Sequence, residues 1–242
     1  MFIFIRLLLA HLIGDFPLQF NKIYELKHKG LKGGIPHAIL VVICLVILSW
    51  PYLKIPGLWG FIFFVGVMHL LQDSIKITYG KIKYIFWSYL LDQFFHIATI
   101  AIVFFTNLKN VQPPKETGGF IASFYNNDAV LIYLIAIIVA TYNGFYLMRN
   151  FKNTFFRNAG TYNFLEKWYG MFERVEIVSI FFLGGYFFFL IPIVLFVRPL
   201  IFSLGINRFN ISRQFISASE MVLSWTIAIV TGIGLYLIVQ KL

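Results

Sequence analysis

Long apolar runs separated by short polar stretches make up most of this chain. The runs extend over about residues 2–20, 36–53, 58–78, 84–105, 129–147, 173–204 and 215–239. Most of them are close to the roughly 20 residues that a helix needs to cross the hydrocarbon core of a membrane. They are continuous rather than alternating in blocks of about ten residues, which favours membrane helices over barrel strands. The pattern therefore predicts an all-α protein, a polytopic transmembrane helix bundle.

The sixth run, residues 173–204, is long for a single span. It contains Gly184-Gly185 and Pro192, which are residue types that interrupt helices. We expect a span followed by a shorter membrane element here, which brings the prediction to seven or eight membrane elements. Pro36 suits the first turn of a helix and marks the expected start of the second run.

Composition agrees with a membrane protein. Hydrophobic residues make up 60% of the 242 residues, against roughly 45–50% in soluble domains. The formal net charge of +10 could suggest nucleic acid as a partner. The basic residues lie at the ends of the apolar runs, however, where anionic lipid headgroups are the simpler partner. We expect contacts with membrane lipids and no nucleic acid.

Lysine and arginine also predict an orientation. They are concentrated in the stretches that follow the first, third and fifth runs, namely Lys22, Lys27, Lys29, Lys32, Lys76, Lys81, Lys83, Arg149, Lys152, Arg157, Lys167 and Arg174. Because such residues accumulate on the cytoplasmic side of membrane proteins, we expect these stretches to be cytoplasmic. The N-terminus and Lys115 are then expected outside.

The runs suggest two halves of the chain. Residues 1–106 hold the first four runs, and residues 107–242 hold the remainder. The second half includes a long basic connection near residues 149–174, where cationic residues alternate with aromatic ones. That composition is typical of a loop with an interfacial helix at the membrane surface.

Three histidine–aspartate pairs interrupt the apolar runs of the N-terminal half. They are His11 with Asp15, His69 with Asp73, and Asp92 with His96. Each pair has i,i+4 spacing, so its two side chains share one face of a helix. The first and third runs read His then Asp, whereas the fourth run crosses in the opposite direction and reads Asp then His. The reversal places aspartates at one depth and histidines at another, so the pairs are expected to face one another, with His37 at the rim.

Charged residues inside a membrane cost about 2.5–3.5 kcal/mol each on insertion scales, so they tend to face a polar interior and mark function. Histidine and aspartate suit divalent metals such as zinc, manganese or iron. The candidate metal ligands are His11, Asp15, His37, His69, Asp73 and His96. Alternatively, the aspartates orient the histidine rings from outside the metal's own ligand set.

The same residues resemble the signatures of the domain-of-unknown-function 3307 family. The matching stretches are His11-Leu12-Ile13-Gly14-Asp15-Phe16 with Gln19, His69 with Asp73, and Asp92-Gln93 with His96. Two later patterns of the family are similar to Gly170-Met171-Phe172-Glu173-Arg174 and Glu220-Met221-Val222-Leu223-Ser224-Trp225-Thr226. In the second of these, Trp225 stands where the pattern has glycine. The resemblance implies a multi-pass protein of the bacterial cytoplasmic (inner) membrane. A looser likeness, by analogy, is to membrane-bound metal-dependent hydrolases.

Three functions remain open on this basis. In a metal-dependent hydrolase, the metal would lower the pKa of a bound water, and Asp92 or Glu173 would act as general base on a lipid or other amphiphile. Glu173 and Arg174 are then expected at the cytoplasmic mouth of the site, paired with each other or with Glu220. In a proton- or ion-coupled transporter or channel, the same groups form the binding site or relay. A non-catalytic membrane subunit is the third reading, since no phosphate loop or HExxH motif is present.

Overall fold

Helices account for nearly all of the structure, a computed structural model that describes residues 2–80, 84–112, 119–156, 162–205, 212, 215 and 217–242. The helices are α1 (Phe2–Asp15), α2 (Asn21–Lys27), α3 (Leu31–Leu48), α4 (Leu58–Tyr79), α5 (Ile85–Ala101), α6 (Phe120–Asn126), α7 (Asp128–Ile138), α8 (Gly144–Phe155), α9 (Phe164–Leu183), α10 (Ile191–Gly205) and α11 (Ala218–Val239). The described part of the chain has no strand, which confirms the all-α prediction.

Five helices within the described residues are long and apolar enough to cross a membrane. They are Leu31–Leu48, Leu58–Tyr79, Ile85–Phe105, Asp128–Phe155 and Ala218–Val239. The prediction of seven or eight membrane elements is therefore too high by this measure. Helix α1 has only 14 residues and α10 only 15, short of the ~20 that a span needs. Helix α9 is long enough, but glutamate, lysine and arginine side chains interrupt it.

Two predicted boundaries also move. Helix α3 begins at Leu31, so Pro36 lies inside the helix rather than at its first turn. The fifth span continues through a π-helical segment, Val139–Asn143, into α8 and ends at Phe155. Helix α9 then begins at Phe164, so most of the described part of the basic connection near 149–174 belongs to two long helices and not to a loop.

The predicted break in the sixth run is confirmed at the glycine pair. Gly184 and Gly185 have φ angles of 65° and 56°, a region that glycine enters without steric cost. Helix α9 ends there, a 3-10 segment follows, and α10 starts beside Pro192. The orientation prediction involves Lys81, Lys83, Lys115 and Arg157, which lie outside the described residues.

The chain forms two compact units, Met1–Ile135 and Ala136–Leu242. The expected division into membrane halves, residues 1–106 and 107–242, stays a prediction. In the first unit α3 packs against α1, α2 and α4, and α5 packs against α4 and α1. Its core includes Leu7, Leu45 and Ile62. Arg6 is fully buried and bonds to Asp128 and to the carbonyl oxygens of residues 2 and 125.

Close approach of α1 and α3 depends on Gly14. A Cβ added there would lie 2.9 Å from Val41 Cα, a backbone atom that moves only if the helix moves. We expect Gly14→Ala to destabilise the protein by about 1–3 kcal/mol through overpacking. Thermal unfolding in detergent measures the effect. Gly60→Ala is the matched control, because a Cβ at Gly60 meets no atom of the described residues within 4 Å. Equal unfolding temperatures for the two variants would contradict this account of the α1–α3 contact.

Candidate metal site in the N-terminal unit

All six histidine and aspartate residues of the three pairs lie in one buried cluster of the first unit. The cluster combines side chains from α1, α3, α4 and α5, and α2 adds a lysine. Its histidines and aspartates are His11, Asp15, His37, His69, Asp73, Asp92 and His96, and each is at most 7% exposed. The structure thus brings together every candidate metal ligand named from the sequence.

Three of the histidines form one layer. The ring centroids of His69 and His96 are 4.4 Å apart. The ring centroid of His11 lies 5.1 Å from that of His69 and 5.0 Å from that of His96. The Nδ1 atoms of His69 and His96 are separated by 3.2 Å. Histidines from helices α1, α4 and α5 therefore meet at a common depth, as the reversed order of the third pair requires.

The carboxylates approach the histidines from neighbouring positions. Asp15 Oδ1 lies 3.0 Å from His37 Nε2. Asp73 Oδ2 lies 3.3 Å from His69 Nε2 and 3.6 Å from His37 Nε2. His37 is fully buried, so it belongs to the cluster and not to its rim as predicted. The earlier start of α3 explains the difference, because His37 lies in the second turn of that helix.

Two lysines complete the charge balance of the cluster. Lys27 Nζ is 2.7 Å from Asp73 Oδ2, and Lys76 Nζ is 2.6 Å from Asp92 Oδ2. Burial alone would lower the pKa of Lys27, but Asp73 and Asp15 raise it above its ordinary value, so this lysine is charged at neutral pH. With neutral histidines, three aspartates and two lysines leave the cluster with one net negative charge.

The pattern of basic residues gives no sign that these lysines enter the cluster, because both lie in basic stretches that are expected to be cytoplasmic. Lys76 lies three residues after Asp73 in α4, a spacing that places it near the polar face. Lys27 has no such local signal. It ends the short helix α2, and only the packing of α2 on α3 carries it into the cluster.

Several polar atoms of the cluster make no well-aligned hydrogen bond with the described residues, although His96 Nε2 and Asp92 Oδ1 lie 3.3 Å apart and so do His69 Nε2 and Asp73 Oδ2. The atoms without such a bond are His11 Nδ1, His11 Nε2, His37 Nδ1, His69 Nε2, Asp73 Oδ1, Asp92 Oδ1 and His96 Nε2. A buried polar group without a partner is costly, so each such group calls for a physical explanation. A bound cation or ordered water would supply the missing interactions.

The donor set fits a metal ion on geometric grounds. Three groups offer ligand atoms that all lie within 4.8 Å of one another: His11 with His69 and His96, Asp15 with His37 and His69, and Asp73 with Asp92 and His96. The first group is purely imidazole, and the other two mix imidazole with carboxylate. Such donors suit zinc, manganese and iron.

Glu173, the second candidate base, belongs to the other compact unit. Its carboxylate accepts hydrogen bonds from Arg198 Nη1 at 3.1 Å, Ser224 Oγ at 3.2 Å and Trp225 Nε1 at 3.0 Å. Arg174 instead donates to Ser224 Oγ and to the Thr141 carbonyl oxygen. The predicted place of Glu173 and Arg174 at the mouth of the His/Asp site stays a prediction.

These features define a class of protein, an all-α protein with several helices apt to span a membrane and a buried histidine–aspartate cluster. Residues 3–117 match the family described as "Protein of unknown function (DUF3307)". This matching region is slightly less than half of the chain, it contains the whole cluster, and it is similar to that family. No curated protein and no solved structure matches the chain.

Proposed function

We propose that this protein is a multi-pass membrane protein that binds a divalent transition-metal ion at the His/Asp cluster. The observation that supports the proposal is the set of buried imidazole and carboxylate atoms that make no well-aligned hydrogen bond within the described part of the chain. With the histidines neutral, as metal coordination requires, the cluster has a net charge of −1, which favours a cation over an anion. The similarity to the family is consistent with a bacterial inner membrane, which is part of the same proposal.

We further propose a hydrolytic reaction on a lipid or another amphiphile. When bound, the metal supplies a Lewis acid and lowers the pKa of a water molecule. His11, His69 and His96 are the proposed imidazole ligands. Asp92 is the proposed general base, because its Oδ1 lies 3.3 Å from His96 Nε2 while Lys76 holds its other oxygen. A general base must lie within hydrogen-bond distance of the proton that it removes, and Asp92 lies beside a proposed metal ligand.

A transporter or ion carrier is the second candidate function. It is favoured by the pairs Lys27–Asp73 and Lys76–Asp92, since buried carboxylates paired with lysines are groups that exchange protons or cations in membrane proteins. The same histidines would then pass a proton or hold the transported ion.

Elemental analysis of detergent-purified protein tests the proposal. We expect at least about one equivalent of zinc, manganese or iron per chain after dialysis against metal-free buffer, and a chelator should remove it. Hydrolysis of phospholipid by the loaded protein and not by the stripped protein would support the enzyme. Metal-dependent ion flux in vesicles without hydrolysis would support the transporter. Purified protein without metal, and without uptake of added metal, would contradict the metal site and the hydrolase, and would favour proton transfer by the same groups.

A further inference from the structure

The second compact unit contains its own buried polar cluster, which the proposed function does not use. In this unit α11 packs against α9 and α8, and α9 also packs against the π-helical segment Val139–Asn143 and α10. Their buried charged residues are Lys152, Glu166, Glu173, Arg174, Arg198 and Glu220. Most of these charges have an evident partner, so the cluster first resembles a structural ion-pair network.

Two cation–carboxylate pairs are plain in the geometry. Lys152 Nζ bonds to Glu220 Oε2, and Tyr162 donates to the same carboxylate at 2.9 Å. Arg198 Nη1 lies 3.1 Å from Glu173 Oε2. The negative charge of Glu166 is held differently, by the backbone amides of residues 163 and 212. These contacts satisfy the three carboxylates of the cluster.

Arg174 is the exception among these cations. Its side chain is 2% exposed, yet its hydrogen bonds within the described residues go to neutral atoms: Ser224 Oγ at 2.9 Å, the Thr141 carbonyl oxygen at 3.3 Å and Met148 Sδ at 3.7 Å. Its Nε has no hydrogen-bond partner there, and neither does Arg198 Nε. A buried charge without a paired counter-charge is expensive. The arrangement therefore favours an added anion.

A cavity lies beside this guanidinium. Its lining includes Arg174, Arg198, Lys167, Tyr162 and Ser224. The cavity measures about 230 Å³ when the part open to solvent is counted, but only about 10 Å³ of it admits the centre of a water-sized sphere, roughly the room of one ordered water. Two glycines keep the guanidinium accessible. A Cβ at Gly170 would lie 3.4 Å from Arg174 Nη1, and a Cβ at Gly144 would lie 3.7 Å from Arg174 Nε. A small opening to solvent and the unpaired Nε atoms of Arg174 and Arg198 thus occur at the same place.

We propose that Arg174 anchors a binding site for a phosphate-type oxyanion in this cavity. The planar guanidinium presents several N–H donors in a fixed fork that matches phosphate oxygens, and the cationic side chains of Arg198 and Lys167 line the same cavity. The residues that line the cavity carry three positive charges (Lys167, Arg174 and Arg198) against two negative ones (Glu166 and Glu220). The bound phosphate leaves no buried cation uncompensated. The phosphate comes either from a phospholipid headgroup or from free phosphate.

Equilibrium dialysis of the full-length, detergent-purified protein with radiolabelled inorganic phosphate tests the site. Loss of a charged hydrogen bond costs enough to weaken binding about tenfold or more, so we expect that weakening in Arg174→Gln. Arg149→Gln is the matched control, because it removes the same charge from an exposed position on α8. Gly170→Ala keeps every charge and places a methyl group against the guanidinium, so we expect it to weaken binding several-fold even if Arg174→Gln does not fold.

A parallel arm identifies the source of the phosphate. Native mass spectrometry of delipidated protein compares retention of phosphatidylglycerol with that of diacylglycerol, which lacks the phosphate. Selective retention of phosphatidylglycerol by wild type and Arg149→Gln, with loss in Arg174→Gln or Gly170→Ala, supports a lipid-headgroup site. Binding of inorganic phosphate alone with the same pattern supports a free-phosphate site. If Arg174→Gln and Gly170→Ala bind both ligands as wild type does, the proposal is wrong and Arg174 serves only to hold helices together.

Discussion

Replacing Asp73 or His96 by alanine should abolish metal binding while the protein still inserts into the membrane. Asp73 Oδ2 lies 3.3 Å from His69 Nε2, and Asp73 Oδ1 lies 3.8 Å from His96 Nε2, so this carboxylate is central to the cluster. Removing it takes away the carboxylate that His37 and Lys27 also contact. Loss of His96 breaks two of the three groups whose ligand atoms lie within reach of one another. The metal content of purified variants measures the effect, which we expect to fall from about one equivalent to near zero.

Matched controls separate site chemistry from surface binding. His28→Ala and Glu25→Ala remove the same types of side chain from exposed positions near α2. Both variants should retain the wild-type metal content. Size-exclusion chromatography and helical circular dichroism show whether each variant is folded. Folded Asp73→Ala protein with full metal content would contradict the assignment of the cluster as the metal site.

Replacing Lys27 by methionine should lower the unfolding temperature of the metal-free protein, and added metal should reverse this loss. We expect this to be the second largest effect. Without Lys27 the cluster carries two net negative charges, and Asp73 loses its 2.7 Å partner. Breaking a buried ion pair in this way costs about 3–5 kcal/mol. A divalent cation then compensates the negative charge of the carboxylates, and the Lys27 ammonium group no longer competes with it for Asp73. We expect the metal-free variant to unfold at a lower temperature than wild type and to recover when metal is added.

The size of the recovery is the decisive quantity. At a metal concentration of 100 times Kd, binding adds about 2.7 kcal/mol to the free energy of unfolding. Tighter binding by Lys27→Met therefore appears as a larger metal-induced rise in unfolding temperature than in wild type. Lys22→Met on the same helix is the control, since Lys22 is exposed and should show no change in either condition. An equal rise in wild type and Lys27→Met would mean that Lys27 does not compete with the metal.

Much of the site was predictable because it depends on local periodicity. An i,i+4 pair shares a helix face whatever the helix packs against, so His69 and Asp73 were certain to point in one direction. The inverted order in Asp92 and His96 then matched an antiparallel neighbour. Membrane-type composition predicted helices, and the glycine pair at 184 and 185 predicted the break after α9, because those residues act through their own backbone.

Span number was less predictable, because hydrophobic runs do not show where helices end. The sequence pattern extended the first run to residue 20, but α1 ends at Asp15, where the chain turns towards α2. In α3 the apolar pattern begins near Pro36, whereas the helix begins one turn earlier in polar sequence. That earlier start places His37 inside the cluster.

By itself, then, the sequence determined an all-α fold with apolar spans, the three His/Asp pairs and their common depth. Each of these follows from composition or from spacing within one helix. Only the tertiary structure decided which charges meet: Lys27 with Asp73, Lys76 with Asp92, and Arg198 with Glu173. It also left Arg174 without a carboxylate partner in a hydrogen bond among the described residues. Those contacts join residues that are 16 to 46 positions apart, and helix packing, rather than any local spacing, sets such distances.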